Sequence, residues 1–524
     1  MCPVGFLIFF CTFAVAMITQ KLKYLILGAI ILPAPLCFAQ SSLNYEVKAI
    51  GAGASGDFAP YFIGSNNGAR IVRKGHALAD LGVSVELDRS KRFSWAAGAE
   101  LITGYSTAND YQLWQQDDWT YQSNRPSAAW IQQLYGQIKY RGVFLTVGQR
   151  DYESALLPQQ LTSGDLTRSG NSRGMPGASA GFIDFQNIPF TNGWVQIDGM
   201  IEYAKFFDTD FRRKQFNLYT GLLTGNTYYT YKRCYFRTKP SERFSVTLGM
   251  QTAGQFGGWT EYYRRGTMYR DDRRGFRVKD VIKMFFPIEG NGNAFYEGNS
   301  LGSWDFKARY RLPGDDEISF AFQWPWEDGS GIGRRNGWDG LWGLYYQTKS
   351  KGFISGAAVE WLDFRNQSGP IHFAPGDMPG TDLNASTTGG DNYYNNDTYA
   401  SYTNYGMSIA TPFLVSPIYN LNGSSYYLHN CARGLHLAIS GYILPELSYA
   451  VKYSWQQAWG MGRKPSPYCM IDNSMLADVR WDLSALAPGW NVGAQLAFDA
   501  GRLRGNNFGA MVSVSYSGSL KFKK

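Results

Sequence analysis

Val512-Ser513-Val514-Ser515-Tyr516-Ser517-Gly518-Ser519-Leu520-Lys521-Phe522 decides the fold. Even positions are apolar or small and odd positions are serine or lysine, a period of two that sends the two sets to opposite faces of a strand. The segment before it repeats the pattern, with Trp490, Val492, Ala494, Leu496 and Phe498 set against Asn491, Gly493, Gln495 and Asp499. Further upstream, Leu81, Val83, Val85 and Leu87 oppose Asp80, Ser84, Glu86 and Asp88. Trp304, Phe306, Ala308, Tyr310 and Leu312 oppose Asp305, Lys307, Arg309 and Arg311, and Leu447, Tyr449, Val451, Tyr453 and Trp455 oppose Ser448, Lys452 and Ser454. Such strands suit a soluble sandwich, whose apolar faces meet in a core, or a membrane barrel, whose apolar faces meet lipid.

The connections separate the two. Working outward from the last strand, eight short links are rich in Gly, Pro, Ser or charge, as tight hairpins require. They are Arg89–Arg92, Arg141-Gly142, Thr191–Gly193, Pro240–Arg243, Gly314–Asp316, Ser350–Gly352, Pro445-Glu446 and Ala487–Gly489. Between them lie longer links at about 53–78, 107–126, 152–177, 208–227, 259–302, 328–338, 366–429, 461–474 and 502–508. Strict alternation of short and long links, with both chain ends on one side, predicts an all-β transmembrane barrel of about 18 antiparallel strands. The first strand is expected near 44–52. Charged residues such as Asp80, Glu86, Lys307 and Arg309 must then face the lumen, where ion pairs are expected to cross it.

Composition agrees. Of 524 residues, 18% are charged and 16% aromatic, with 35 Tyr and 16 Trp; rings that are apolar at one end and polar at the other suit the two girdles of a barrel. Two apolar runs, Val4–Ile18 and Tyr24–Phe38, flank Lys21 and Lys23. The second reads as a signal peptide ending at Ala39, with Met17 a possible true start. The expected organisation is a signal peptide over 1–39 and one barrel with long extracellular loops over 40–524. The formal charge of +8 falls to about +6 once Lys21 and Lys23 are removed, which mildly favours anionic partners. Cys234, Cys431 and Cys469 remain; an odd number gives no disulfide framework, and a Cys431–Cys469 bridge is conceivable in an oxidising compartment.

The stretch Gly148-Gln149-Arg150-Asp151, then Leu161-Thr162-Ser163-Gly164, then Asn171-Ser172-Arg173-Gly174-Met175-Pro176-Gly177, resembles the Wzi-type capsule assembly family. Leu248-Gly249-Met250 with Phe256-Gly257-Gly258, the strand Asp305–Leu312, and Asn395-Asn396-Asp397 through Tyr405-Gly406-Met407 follow in the same order. The resemblance implies an 18-stranded outer-membrane barrel with a blocked lumen, acting as a lectin that holds capsular exopolysaccharide at the cell surface. The terminal Phe522-Lys523-Lys524 departs from the aromatic end common among such barrels.

Three loops carry candidate polysaccharide-binding residues, because rings stack on sugar faces and Arg forks pair with carboxylates. The loop 259–302 offers Trp259, Tyr262, Arg264, Arg265, Arg270, Arg273 and Arg274, to grip acidic polysaccharide or lipid headgroups. The plainer reading is a solvated cluster partly neutralised by Asp271 and Asp272. The loop 366–429 offers Asp391, Tyr393, Tyr394 and Asp397, and the loop 107–126 offers Trp114, Trp119 and Tyr121. In loop 152–177, Arg150, Asp151, Asp165, Arg168 and Arg173 are candidates for a network plugging the lumen.

No metal or cofactor is expected, since no pair among the four histidines has metal-ligand spacing and no calcium-loop pattern occurs. No nucleophile elbow or phosphate-cradling loop appears, so no enzyme is expected. Nucleic acid is excluded by the compartment. The expected function is non-catalytic anchoring of exported capsular polysaccharide, in contact with outer-membrane lipids. A porin or substrate-specific channel is the alternative, and an outer-membrane hydrolase a third.

Overall fold

The computed structural model describes residues 42–521 apart from 116, 240, 286–297, 315, 328–335, 370, 371, 374–386 and 389. The export segment 1–39 and the terminal Phe522-Lys523-Lys524 lie outside the described residues. Tyr45–Gly518 forms one compact unit.

The strands are β1 (Ser42–Phe58), β2 (Arg73–Val85), β3 (Phe93–Ser106), β4 (Ala129–Tyr140), β5 (Val143–Gln149) and β6 (Gly177–Phe182). There follow β7 (Val195–Lys205), β8 (Tyr228–Thr238), β9 (Phe244–Phe256), β10 (Asn299–Arg311), β11 (Glu317–Glu327) and β12 (Gly340–Gln347). The set ends with β13 (Gly356–Asp363), β14 (Ala432–Leu444), β15 (Leu447–Met461), β16 (Lys464–Asp482), β17 (Trp490–Gly501) and β18 (Asn507–Lys521). Each pairs with the next, and β18 pairs back onto β1. The short piece Gln186–Asn187 continues β6 along β7. The result is a closed antiparallel barrel of eighteen spanning strands, as the alternation predicts. Closure removes the free sheet edges that a bilayer forbids. At the seam, Gly56 N–H donates to Asn507 Oδ1 at 2.8 Å and Phe508 N–H to Ser55 Oγ at 2.9 Å.

The alternation is visible in exposure. On β17 and β18, Leu496, Phe498 and Val512 face outward, while Asp499 and Ser515 are buried inside. Leu248, Ile318, Leu344, Val359 and Val479 continue the outer apolar belt. Each expected short link joins consecutive strands at one end of the barrel, and the long links lie at the other.

Several long links hold more structure than periodicity foretells. The link expected at 461–474 is a ribbon instead: β15 runs to Met461, β16 starts at Lys464, and Gly460 pairs with Pro465. The loop 107–126 folds as a hairpin of Asn109–Gln115 and Asp118–Asn124. Within 208–302, Thr220–Gly225, Gly258–Arg264 and Thr267–Gly275 form a separate three-stranded sheet. The first strand runs Ser42–Phe58 rather than 44–52. A strand beyond the bilayer meets no lipid, so it lacks the long apolar face that makes a spanning strand legible; of its apolar residues the hairpin buries only Tyr111 and Leu113.

The belt sets an expected outcome. Leu496→Arg destabilises the folded barrel by ~2–4 kcal/mol when the residue lies near the bilayer midplane, falling off toward the interfaces, whereas Leu496→Phe is tolerated. Denaturant titration of the barrel reconstituted in phospholipid vesicles measures both.

Candidate functional site

Every second strand residue faces inward, many of these are polar, and two loop segments come in to meet them. Residues 161–172 and 406–414 are buried throughout. Loop backbone carries unpaired N–H and C=O groups that cannot be left dry; here the wall supplies the partners. Ser163 N–H donates to Glu360 on β13 at 2.8 Å, and Leu166 N–H to Gln323 on β11 at 3.0 Å. The Leu161 carbonyl meets His436 on β14 at 2.8 Å. The Phe413 carbonyl accepts from Gln456 on β15 at 2.8 Å and from Arg504 at 3.0 Å. Between these bonds, Leu161, Leu166, Ile409, Phe413 and Leu414 pack on Leu301, Leu341 and Leu362 of the wall. The core of the protein therefore lies inside the barrel.

Of the predicted lumen residues, Asp165 and Arg168 form its centre. Gln251 on β9 donates to both Asp165 oxygens at 3.1 and 3.0 Å, and Gln323 donates to Oδ2 at 2.8 Å. Thr167 and Arg168 N–H groups add 2.9 and 3.2 Å bonds. Arg168 pairs with Glu202 on β7 at 2.7 Å and lies 3.7 Å from the Tyr231 ring centre. Tyr152 OH holds the other Glu202 oxygen at 3.0 Å. Asp151 belongs to a second cluster, where Arg70 bridges it at 2.6 Å to Glu100 on β3; burial raises the Asp151 pKa even so. Arg150 and Arg173 do not join either pair. Arg150 stacks 5.0 Å from Tyr135, and Arg173 lies between Trp130 and Tyr405 at 5.2 and 4.8 Å. Burial lowers the Arg173 pKa to about 10. Sequence reading missed Arg70, Glu202, Gln251, Gln323 and Glu360. The inward parity of Glu202, Gln251, Gln323 and Glu360 was readable and their partners in the loops were not; Arg70 lies in a link, where no parity marks it.

The loop candidates divide. Trp114 and Trp119 lie 5.4 Å apart, each also packed on Tyr219, at 4.7 and 5.1 Å. The Arg265-Gly266 turn sits on this platform: Gly266 N–H donates to the Tyr219 carbonyl at 2.8 Å. Gly266 has φ +78°, and a Cβ there would run into the Trp114 ring, so only glycine serves. Trp119 is 40% and Tyr121 75% exposed. Most of the predicted arginines are engaged within the ribbon. Arg270 forks onto Asp272 at 2.9 and 2.7 Å, and Arg273 reaches Asp271 at 2.8 Å and Glu261 at 3.3 Å beside the Trp259 ring. Arg274 donates to Thr260 at 2.6 Å. Arg270 also lies over Tyr262 at 4.8 Å. Arg264 stacks 4.9 Å from Tyr269, and neither Arg264 nor Arg265 has a carboxylate partner among the described residues.

Tyr393 and Tyr394, expected on a binding surface, are buried parts of the plug. Tyr393 OH donates to Asp339 at 2.9 Å and Tyr394 OH to the Leu166 carbonyl at 2.7 Å. The long loop turns into the lumen there because apolar rings with one hydroxyl can fill space while satisfying loop carbonyls. Asp391 is buried against Ser368, whereas Asp397 is exposed and pairs with Arg463 at 3.2 Å. The remainder of link 259–302 goes outward. A helix, Val278–Phe285, lies against the lipid-facing side of β7 and β8. Tyr203 OH donates to the Val281 carbonyl at 2.9 Å, and Lys232 Nζ caps Met284 and Phe285 carbonyls at 2.6 and 2.7 Å. Cys234, Cys431 and Cys469 are free thiols, so the conceivable Cys431–Cys469 bridge is not formed.

No family model matches the chain, and no curated protein matches it. Solved structures do. Wzi of Escherichia coli, an outer-membrane protein involved in group 1 capsule assembly and a carbohydrate-binding β-barrel, is 12% identical. It aligns with a TM-score of 0.53 over 91% of this chain and 85% of that one. OccK3 (OpdO) of Pseudomonas aeruginosa is 12% identical, with a TM-score of 0.45 over 92% of this chain and 96% of its own. OprD of the same organism is 10% identical, with a TM-score of 0.44 over 92% and 95%. At such identities the likeness concerns the fold, and the fold is that of an outer-membrane β-barrel.

The central pair sets a second expected outcome. Glu202→Ala leaves the Arg168 guanidinium buried without its carboxylate, a loss of ~3–5 kcal/mol. The variant barrel unfolds at a lower temperature than the parent, and its 156–172 segment becomes cleavable by protease in detergent solution.

Proposed function

We propose that this barrel anchors exported polysaccharide at the cell surface and carries out no chemistry on it. The observation that supports the reading is the Trp114–Trp119–Tyr219 platform with the Arg264-Arg265 turn beside it, on the loop side of a barrel whose lumen is packed. Rings offer apolar faces to the C–H faces of sugars, and an uncommitted guanidinium pairs bidentately with uronic or other acidic substituents. Trp119, Tyr121, Arg264 and Arg265 are the residues assigned to this surface. Trp259, Tyr262, Arg270, Arg273 and Arg274 shape the ribbon that presents it. The carbohydrate-binding, capsule-assembly role of Escherichia coli Wzi is consistent with this reading. Outer-membrane lipid is the second partner, met by the apolar belt and the Val278–Phe285 helix.

A channel is the second reading. Cavities of about 560 Å³ at the periplasmic end and about 390 Å³ at the loop end favour it. Arg168 and Glu202 line the first, and Asn171 and Pro412 of the packed loop segments line the second.

Cells lacking the protein are expected to make normal total polysaccharide but release most of it into the medium. Trp119→Ala combined with Arg264→Ala and Arg265→Ala reproduces that release at unchanged barrel level, through at least tenfold weaker binding (~1.4 kcal/mol). Measurement of cell-bound against released polysaccharide tests it, and an unchanged partition in the deletion overturns the anchoring role.

A further inference from the structure

The loop end of the barrel holds a cleft that the platform does not include. It opens between the β17–β18–β1 seam and the segment 406–429, with a volume of about 390 Å³, inside the ~300–1,000 Å³ range of ligand clefts. Three aromatic residues, Phe58, Tyr61 and Tyr419, line it. Tyr61 lies under the Arg504 guanidinium at 4.2 Å, and Tyr419 packs edge-on to Phe58 at 4.9 Å.

The polar groups lining the cleft differ in how they are used. Arg504 is committed: its Nη1 donates to Gln456 at 2.7 Å, its Nη2 to the Phe413 carbonyl at 3.0 Å, and Asp472 lies 3.6 Å away. Asn507 is committed to the seam. Asp499 is 2% exposed; its Oδ2 accepts the Tyr61 N–H at 2.9 Å, the Ser474 hydroxyl lies beside the carboxylate, and Oδ1 is buried without a hydrogen-bond partner of its own. The His429 Nδ1 is likewise buried and unpartnered. A buried polar atom left unpaired costs ~1–3 kcal/mol, so two at one cleft mark positions where a partner is missing. Burial and the nearby Arg504 lower the His429 pKa, which keeps the ring neutral at neutral pH.

We infer that this cleft binds a neutral, hydroxyl-rich segment of saccharide, with Asp499 Oδ1 accepting from a sugar hydroxyl, His429 Nδ1 bonding a second one, and Tyr61 and Tyr419 flanking the ring. The assignment follows from the sign of the free groups. A carboxylate oxygen without a hydrogen-bond partner repels an anion and accepts O–H donors, a neutral imidazole adds no positive charge, and Arg504 is already spent. Acidic substituents belong to the Arg264-Arg265 turn, and neutral residues of the chain to the cleft. The inference rests on the anchoring role proposed above and adds a second, chemically distinct subsite to it.

The test uses the purified full-length barrel in detergent. The probes are neutral and acidic fragments of polysaccharide shed by the producing cells, made by partial hydrolysis and separated by anion exchange. Binding is read by titration calorimetry. Val415→Trp fills the cleft and His429→Phe removes one free polar atom; heat-modifiable gel migration verifies folding of each, and Val415→Trp alone decides if His429→Phe fails to fold. The parent is expected to bind neutral fragments, and each folded variant to bind them at least tenfold more weakly with acidic fragments unaffected. Neutral binding within twofold of the parent in the folded variants overturns the cleft and leaves anchoring intact. A parent that binds only acidic fragments does the same. A parent that binds neither overturns the anchoring role and the cleft with it.

Discussion

Every second residue of every strand points into a space that contains no lipid, and each polar group there needs a partner. In this barrel much of that demand is met by the chain itself. The glutamines, glutamates and histidine of the inner wall would be ordinary pore lining if the loops stayed outside. Instead Gln251, Gln323, Glu202, Glu360 and His436 hold the backbone and side chains of residues 161–168. The wall supplies what the extended loop lacks, and the loop neutralises what the wall exposes. The ion pair between Arg168 and Glu202, sealed between Tyr152 and Tyr231, is the tightest expression of this exchange.

That exchange leaves the loop side free for the polysaccharide-binding surface proposed above. Once the lumen is filled from inside, the remaining loop segments build on a fixed floor. The hairpin Asn109–Gln115/Asp118–Asn124 and the ribbon around Arg265 meet over Tyr219, and the helix Val278–Phe285 ties the same link to the lipid-facing wall through Lys232. Rigid rings and a close-packed turn at the proposed surface leave little ordering for the moment of association.

What could be read from the sequence divides along the membrane. Strands that cross the bilayer carry a physical signature, because lipid enforces an apolar face; hence Val512–Phe522 and Trp490–Phe498 announce themselves, and the strand count follows. The ribbon at 461–464 rises beyond the spanning part of its strands, and the hairpin at 109–124 buries Tyr111 and Leu113 against other loop segments rather than lipid, so neither carries the long apolar face of a spanning strand. Asp165 and Arg168 were legible as lumen candidates because charge in a long link beside a barrel must go somewhere dry or wet. Arg150 and Arg173 share that composition yet stack on rings. Tyr393 and Tyr394 look like sugar-binding residues and are instead buried, since a tyrosine suited to stacking on a sugar is equally suited to filling a lumen. Composition gives residue chemistry, and only the fold says which side of the wall receives it.

The packed lumen is most directly tested by single-channel recording of the purified barrel in a planar bilayer, beside a variant lacking residues 156–172. The account predicts no steady ionic current through the intact protein and discrete open steps through the shortened one. Sustained conductance by the intact barrel would contradict it and favour the channel reading.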